Sequence, residues 1–189
     1  IHLIRTNKIY ITDAVHADEV NSGGVLVHFD SITTQKASGI IKTHIINESE
    51  TASDLQLGIT FSDKNGKESK FTSSEKSVEA GGAISISEEI NIEDPLLWSP
   101  KNPNLYEVQI DVFADGNLVD SKSIKTGIRE IELQGNVFLL NGENLFINGT
   151  NRHQEYPYVG YALSDEAQYR DAYKIKEAGF NFVRLFHYP

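Results

Sequence analysis

The stretch FLLNGENLFINGTNRH at residues 138–153, together with FNFVRLFHYP at residues 180–189, decides the fold of the C-terminal part of this chain. The pattern predicts a hairpin, a strand that ends near His153, a helix, and a second strand that ends near His187. Two strands of one type joined by a helix are typical of a β/α barrel. Because the loops after such strands form the active site of these barrels, both histidines lie where site residues are expected.

The composition limits the class of protein. The 189 residues are 39% hydrophobic with a formal net charge of −10, which indicates packed domains and disfavours nucleic acid as a partner. The absence of cysteine excludes disulfides and thiolate chemistry. No signal peptide or long apolar run is present, so we expect a soluble protein without a membrane partner, whether cytoplasmic, periplasmic or secreted. Because the chain lacks Met and begins in strand-like sequence, we also expect it to be an excised piece of a longer protein.

Residues 1–130 are predicted to form an immunoglobulin-like β-sandwich. Apolar residues occupy every second position in residues 55–61 and 106–112, which is the pattern of strands with one buried face. Asp115 and Gly116 supply the positive φ angles that a tight hairpin needs. About seven or eight short strands in roughly 120 residues fit this sandwich, and an antiparallel barrel is the alternative.

A proline-rich segment at residues 94–106 interrupts the strand pattern. It contains three of the five prolines and the single tryptophan, Trp98, and proline cannot donate to the ladder of a central strand. We interpret the segment as a rigid connection between sheets, with Trp98 and Leu105 packed at the edge of the core. The alternative is that Trp98 stacks on a sugar.

Residues 131–189 are predicted to be the truncated N-terminal part of a barrel domain, with a hairpin followed by a β-α-β unit. Asn141-Gly142 between the apolar runs 137–140 and 145–147 is a strong hairpin signal. The chain as a whole is therefore predicted to be mainly β, with a sandwich followed by an incomplete (β/α) barrel start.

The helix of this second part has recognisable boundaries. Ser164 is the predicted N-cap, Asp165 and Glu166 follow at the positive end of the helix dipole, and Gly179 is the predicted C′ residue. Residues 180–186 are predicted to form a buried strand. The helix face expected to pack on strands consists of Ala172, Ile175 and Ala178.

A set of short motifs along the chain carries a resemblance to a known family. Its residues are Leu97, Trp98, Ser99, Pro100, Asn104, Leu105, Tyr106, Gly127, Ile128, Arg129, Asn141, Gly142, Gly149, Thr150, Asn151, Arg152, His153, Asp171, Lys176, Gly179, Asn181, Val183, Arg184, His187, Tyr188 and Pro189. Together they resemble glycoside hydrolase family two, and the cluster at residues 151–157 is most similar to its β-galactosidase branch. Two positions depart from the family pattern: Asn148 stands where a basic residue is common, and Phe186 where a small hydroxyl residue is usual.

The resemblance implies a retaining β-glycosidase that acts on a β-linked sugar. It implies that His153 and His187 bind hydroxyl groups of the sugar and that Arg184 keeps the nucleophilic carboxylate ionised. Asn151 and Arg152 are further candidates for the same surroundings. Both catalytic glutamates of the resembled family lie on later barrel strands, so no catalytic residue is expected in this chain.

Structural explanations compete with these assignments. Each histidine could be a satisfied structural residue, and Arg184 could be an exposed arginine. The acids Asp165, Glu166 and Asp171 are better explained by capping or a solvated helix face than by catalysis. No metal-ligand spacing is present, and a divalent metal in the full enzyme is compatible with the resemblance but is not indicated by these residues.

Two other functions are left as alternatives. A carbohydrate-binding module would need an exposed aromatic platform, but the single tryptophan lies in the proline-rich segment. A purely structural spacer would fit residues 1–130 taken alone. The sugar, its linkage and the presence of a homo-oligomer are left open.

Overall fold

The computed structural model of this chain describes residues 4–17, 19 and 23–186. The chain divides into two units, Ile1–Ile131 and Glu132–Pro189. Within the described residues the chain as a whole is mainly β-strand, and its one α-helix lies in the second unit, where the strands are short. The predicted mainly-β fold is confirmed.

Two antiparallel sheets form the first unit, which is an immunoglobulin-like sandwich as predicted. Its described strands, in chain order, are β1 (Ile9–Ile11), β2 (Val25–Ile32), β3 (Lys36–Asn47), β4 (Ser53–Ser62), β5 (Glu68–Thr72), β6 (Lys76–Val78), β7 (Ala83–Glu93), β8 (Tyr106–Ala114) and β9 (Asn117–Thr126). In one sheet, β1 and β2 pair with successive parts of one edge of β3, and β7 pairs with the other edge. In the second sheet, β5 and β6 share one edge of β4, and β8 and then β9 follow on the other side.

The core lies between the two sheets, where the alternating apolar residues of neighbouring strands meet. Leu57 of β4 is opposite Val112 of β8, and Ile59 is opposite Ile110. All four side chains are almost completely shielded from solvent. Since burial of one such side chain contributes about 1.5–3 kcal/mol, this row of pairs is a major source of stability for the unit.

A tight hairpin turn between β8 and β9 sets the register of the second sheet. Asp115 and Gly116 adopt φ angles of 49° and 78°, and Ala114 is paired with Asn117 across the turn. Positive φ at both central residues defines a type I′ turn, whose twist matches that of the flanking strands. The hairpin predicted at this position is confirmed.

Two hydrogen bonds from backbone N–H groups attach the N-terminal half of the proline-rich segment to the sandwich. The backbone N–H of Trp98 donates to the carbonyl of Ile128 at 2.8 Å, and the N–H of Leu96 donates to the buried hydroxyl of Tyr106 at 2.9 Å. Trp98 is half-buried. The prediction for Leu105 was wrong, because 47% of this residue is exposed.

Short strands and one helix follow β9. They are β10 (Ile131–Gln134), β11 (Val137–Leu140), β12 (Glu143–Asn144), β13 (Gly149–Arg152), α1 (Asp165–Glu177) and β14 (Phe182–Leu185). The strands β10, β11 and β12 form a small sheet in that order, whereas β13 and β14 form a separate parallel pair connected by α1. This pair is the predicted β-α-β unit.

The second hairpin forms at the predicted turn but has a shorter return strand. Asn141 and Gly142 have φ angles of 53° and 78°, again the type I′ combination, and Leu140 pairs with Glu143. The hairpin predicted from Asn141-Gly142 is confirmed, and the N–H of Leu145 still donates to the carbonyl of Phe138 at 2.9 Å beyond β12. The two-residue turn starts the pairing at Glu143 at once, and β12 ends one residue later.

The boundaries of α1 are those predicted from the sequence. The hydroxyl of Ser164 accepts a hydrogen bond from the N–H of Ala167, and Gly179 has the positive φ of a C′ residue, 86°. Hydrogen bonds from its own backbone N–H and from Ser164 hold the pKa of Glu166 below its usual range. No helix among the described residues is long and apolar enough to cross a bilayer.

The last described strand differs from the expectation for its solvent exposure. The prediction of a buried strand over residues 180–186 was wrong, because every residue of β14 is exposed. Within the described chain, β13 is the only strand paired with it, and no residue of α1 is fully buried. Two strands and one helix do not provide enough surface to cover the apolar side chains Phe182, Val183 and Leu185.

Candidate functional site

The pleat of the parallel pair β13–β14 separates its side chains onto two faces. The register pairs Asn151 with Arg184, and Arg152 with Leu185. Successive side chains of a strand point to opposite faces of a sheet. Asn151 and Arg184 therefore share one face, while Arg152 and Leu185 share the other.

An ion pair identifies which face packs against α1. Nη2 of Arg152 lies 2.8 Å from Oδ2 of Asp171 in the helix, and Nε of Arg152 lies 3.3 Å from the same oxygen. The two side chains are only 12% and 23% exposed. Arg152 thus lies on the helix face of the pair. Asp171 is not on a solvated helix surface, which corrects the expectation from the sequence.

The opposite face continues past the ends of the two strands. The N–H of Phe186 donates to the carbonyl of Arg152 at 3.1 Å, so the parallel ladder extends one step beyond β14. The rings of His153 and Phe186 meet edge to face with centroids 5.4 Å apart, and Cζ of Arg184 lies 4.1 Å from the centroid of Phe186. We define the site face as Asn151, His153, Arg184 and Phe186.

A second set of contacts connects the loop after β13 to α1. Arg170 donates a hydrogen bond to the hydroxyl of Tyr156, and its guanidinium carbon lies 5.2 Å from the centroid of that ring. Nη2 of Arg170 also lies 3.9 Å from Oδ1 of Asp171. Asp171 therefore interacts with Arg152, the residue that precedes His153 in the sequence. It also interacts with Arg170, which contacts Tyr156 in the loop that follows His153.

Two asparagines fix the chain where it enters β13. Oδ1 of Asn181 accepts from the N–H of Asn148 at 2.9 Å, and Nδ2 of Asn181 donates to the carbonyl of Phe146 at 2.8 Å. The side-chain amide of Asn148 donates to the carbonyl of Gly179 at 3.2 Å. Asn148, the residue that departs from the resembled pattern, therefore contacts the turn that follows α1.

The described part of the chain contains four of the five residues predicted for the site. Asn151, His153 and Arg184 lie on the site face, whereas Arg152 lies on the helix face. His187 lies outside the described residues. Arg184 lies on the face of the parallel pair opposite the helix.

Three residues around the site were missed in the sequence. Phe186 was noted only as a departure from the family pattern, although its spacing of two from Arg184 places both side chains on one face of a strand. Asp171 was assigned to a cap or a solvated helix face and Arg170 was not singled out, since their partners depend on how the helix is rotated against the sheet.

The site face combines side chains that suit a polar ligand. The amide of Asn151 and the imidazole of His153 can each donate and accept hydrogen bonds, and Arg184 offers several donors in a planar array with a fixed positive charge. Such a set can bind hydroxyl groups or hold a carboxylate. Among the described residues, no three histidines or acids come together as metal ligands.

A cleft of about 350 Å³ in the first unit is a separate candidate for ligand binding. It is lined by Val27, His28, Phe29, Trp98, Leu105, Lys125, Thr126, Gly127 and Arg129. Cζ of Arg129 lies 4.6 Å from the centroid of the Trp98 ring, and the indole packs tightly against Gly127. These contacts favour the role of Trp98 in holding the proline-rich segment over the role of a platform for a sugar.

Together, the two units define a class of modular protein in which a β-sandwich precedes the beginning of a β/α barrel. Residues 26–129 match the family model described as Glycosyl hydrolases family 2. Residues 131–189 match the model described as Glycosyl hydrolases family 2, TIM barrel domain. The chain belongs to glycosyl hydrolase family 2.

Known proteins with similar sequences and structures include β-galactosidases and a β-glucuronidase. The chain is 34% identical over 173 residues to a β-galactosidase of Thermoanaerobacterium thermosulfurigenes, which covers 91% of this chain and 24% of the relative. A β-galactosidase of Thermoanaerobacter pseudethanolicus is 43% identical over 106 residues, or 55% of this chain and 14% of the relative. A crystal structure of a Bacteroides uniformis β-glucuronidase has a TM-score of 0.83 at 27% identity, over 97% of this chain and 22% of that one. The chain thus spans about a quarter or less of the length of these relatives.

Proposed function

We propose that this chain is part of a retaining β-glycosidase, similar to the β-galactosidases, that hydrolyses the glycosidic bond of a β-linked sugar. Residues 1–130 would form its immunoglobulin-like domain, and residues 131–189 the N-terminal part of its catalytic TIM barrel. The observation that carries this proposal is the position of Asn151, His153 and Arg184 on one face, at or just past the C-terminal ends of two parallel strands. Barrels of this type build their active sites there.

His153 is proposed to bind a hydroxyl group of the sugar. A neutral imidazole has one donor and one acceptor, which suits a hydroxyl that can also do both. The edge-to-face contact with Phe186 restricts the orientation of the imidazole ring. By resemblance to the family, His187 is proposed to act on the same sugar.

Arg184 is proposed to hold the nucleophilic carboxylate, which a later part of the barrel would supply. A guanidinium close to a carboxyl group lowers its pKa and so keeps it ionised, as a nucleophile requires. The packing of Arg184 on Phe186 limits the positions that the guanidinium can take. Asn151 is proposed to support the same site, whereas Arg152 is proposed to act through the helix.

A β-galactoside is the substrate that we propose. The two curated relatives are both β-galactosidases, and residues 151–157 resemble that branch of the family. The Bacteroides uniformis structure is that of a β-glucuronidase, so a β-glucuronide is the alternative substrate to test. Comparing chromogenic β-galactoside and β-glucuronide hydrolysis by the full-length glycosidase decides between the two sugars.

The test of the site uses His153→Ala in the full-length glycosidase that contains this chain. We expect kcat/KM to fall by about ten- to a few-hundred-fold, the value of one or two hydrogen bonds that strengthen in the transition state. The melting temperature should hardly change, because His153 is exposed and contributes little packing. His16→Ala is the matched control, since His16 is an exposed histidine of the first unit that lies neither on the site face nor in the cleft.

A structural histidine would give the opposite result. His153→Ala would then lower the melting temperature and leave kcat/KM of the folded protein close to that of the wild type. That outcome would remove His153 from the proposed site. Full-length protein that hydrolyses neither sugar would contradict the proposed activity itself.

A further inference from the structure

We propose that Asp171 is a positioning residue that holds the segment carrying His153 against α1, and that it acts on the sugar only through His153. This inference rests on the proposed function, in which His153 binds the substrate. Asp171 itself lies on the helix and faces away from the site face, so it is not offered as a residue that touches substrate.

The first attachment is the ion pair between Asp171 and Arg152. One carboxylate oxygen receives both Nη2 and Nε of the guanidinium, at 2.8 and 3.3 Å. Both side chains are mostly shielded, so solvent competes less with this pair than with ion pairs on the surface. Arg152 is the residue before His153, and its fixed side chain determines which way the next one points.

The second attachment uses the other carboxylate oxygen. Oδ1 of Asp171 lies 3.9 Å from Nη2 of Arg170, which donates to the hydroxyl of Tyr156 and lies near that aromatic ring. Tyr156 follows His153 by three residues. The carboxylate therefore connects to the chain on both sides of the histidine.

The two attachments matter because His153 is exposed and lies past the end of a short strand. A loop in this position gains mobility when its anchors are lost. Displacement of a binding group by about 1 Å can reduce the rate about a hundred-fold. Removing the Asp171 carboxylate should therefore reduce the contribution of His153 to catalysis, although every side chain proposed to contact the sugar is still present.

A double-mutant cycle in the full-length glycosidase tests the inference. The four proteins are wild type, His153→Ala, Asp171→Asn and the double variant, compared by kcat/KM on the chromogenic sugar that the wild type hydrolyses. We expect Asp171→Asn to lower kcat/KM by about ten- to a hundred-fold in the wild type. In the His153→Ala background we expect the same change to have less than about a twofold effect, because the two residues act as one unit.

Asp165→Asn is the matched control, since it makes the same substitution at an exposed site on the same helix. It should leave kcat/KM within about twofold of the wild type. If Asp171→Asn does not fold, Arg170→Gln takes its place in the cycle. This substitution removes the second attachment, while the ion pair between Asp171 and Arg152 remains. A smaller loss with the same lack of additivity is expected.

Three results would overturn the inference. Equal losses from Asp171→Asn in both backgrounds would show an effect that does not pass through His153. If Asp171→Asn leaves kcat/KM unchanged while His153→Ala lowers it, the attachments are not needed to position His153. A silent His153→Ala would refute the proposed function of the histidine, and this inference with it.

Discussion

Trp98 and Gly127 pack so closely that a Cβ atom on Gly127 would lie 2.8 Å from the Cβ, Cγ and Cδ1 atoms of the indole side chain. The backbone N–H of Trp98 also donates to the carbonyl of Ile128, the residue after this glycine. Glycine is required here for a close approach. The proline-rich segment is thereby locked onto the chain that follows β9.

Gly127→Ala is expected to destabilise the first unit by about 1–3 kcal/mol, because the new methyl group overlaps the indole and the tryptophan must move. Urea denaturation of the 189-residue chain, followed by tryptophan fluorescence, measures this change. Ser87→Ala, which alters an exposed strand residue of β7, is the control and should change stability by less than about 0.5 kcal/mol. An unchanged midpoint for Gly127→Ala would show that the segment is not held by this contact.

Tyr106 should make the stability of the first unit sensitive to alkaline pH. Burial, reinforced by the charge of Asp63, raises the pKa of its phenol, although the hydrogen bond from Leu96 opposes the shift. The unfolded chain releases this proton near pH 10, whereas the folded chain retains it to higher pH. The contribution of Tyr106 is therefore complete below about pH 10 and is lost as the pH rises through the pKa of the folded state.

Unfolding free energies measured from about pH 8 to pH 11 check this expectation. Tyr106→Phe should lower stability by about 0.5–1.5 kcal/mol at neutral pH, since the N–H of Leu96 loses its partner, and should flatten the decline above pH 10. A residual slope is expected from Tyr10, whose pKa is also raised by burial. Tyr173→Phe, at an exposed position, should reproduce the wild-type curve.

The two units should differ in protection from hydrogen exchange. Strand β8 is paired on both sides and buries alternate side chains completely, while β14 is paired with β13 alone among the described strands and has exposed side chains. Amide protons of Tyr106–Ala114 should exchange only through global opening, and those of Phe182–Leu185 through local opening. Equal protection of the two strands in dilute solution would contradict this expectation.

The 189-residue chain alone should not hydrolyse a chromogenic β-galactoside. Retaining glycosidases need two carboxyl groups about 5–5.5 Å apart on either side of the scissile bond. Asp171 is engaged with Arg152, and Glu166 lies at the start of α1, so neither supplies such a pair. Turnover that co-purifies with the chain through a second chromatographic step would disprove the prediction.

The sequence alone was sufficient to predict features that depend on near neighbours along the chain. The alternation in residues 55–61 and 106–112 predicted buried faces, because a strand repeats every second residue. Asp115-Gly116 predicted a turn, because the backbone there must adopt positive φ. The cap at Ser164 likewise needs only the three residues that follow it.

Features that depend on the distance between elements could not be predicted. The pairing of Asn151 with Arg184 follows from the strand register, and the partner of Arg152 follows from the rotation of α1 about its axis. Neither quantity is encoded by local spacing. The exposure of β14 was also missed, because an apolar run shows that a strand has surface to bury but not what covers it.

The division of β13 into two faces has a consequence for how the protein can change during evolution. Substitutions at Asn151, His153, Arg184 or Phe186 alter the polar surface without touching the attachments to α1. A combinatorial library at Asn151, His153 and Phe186, with Arg184 kept for its proposed role at the nucleophile, can therefore test for new sugar preferences of the proposed glycosidase on an unaltered scaffold. A one-residue insertion in the same strand would instead exchange the two faces, so that the histidine turned toward the helix and both properties were lost together.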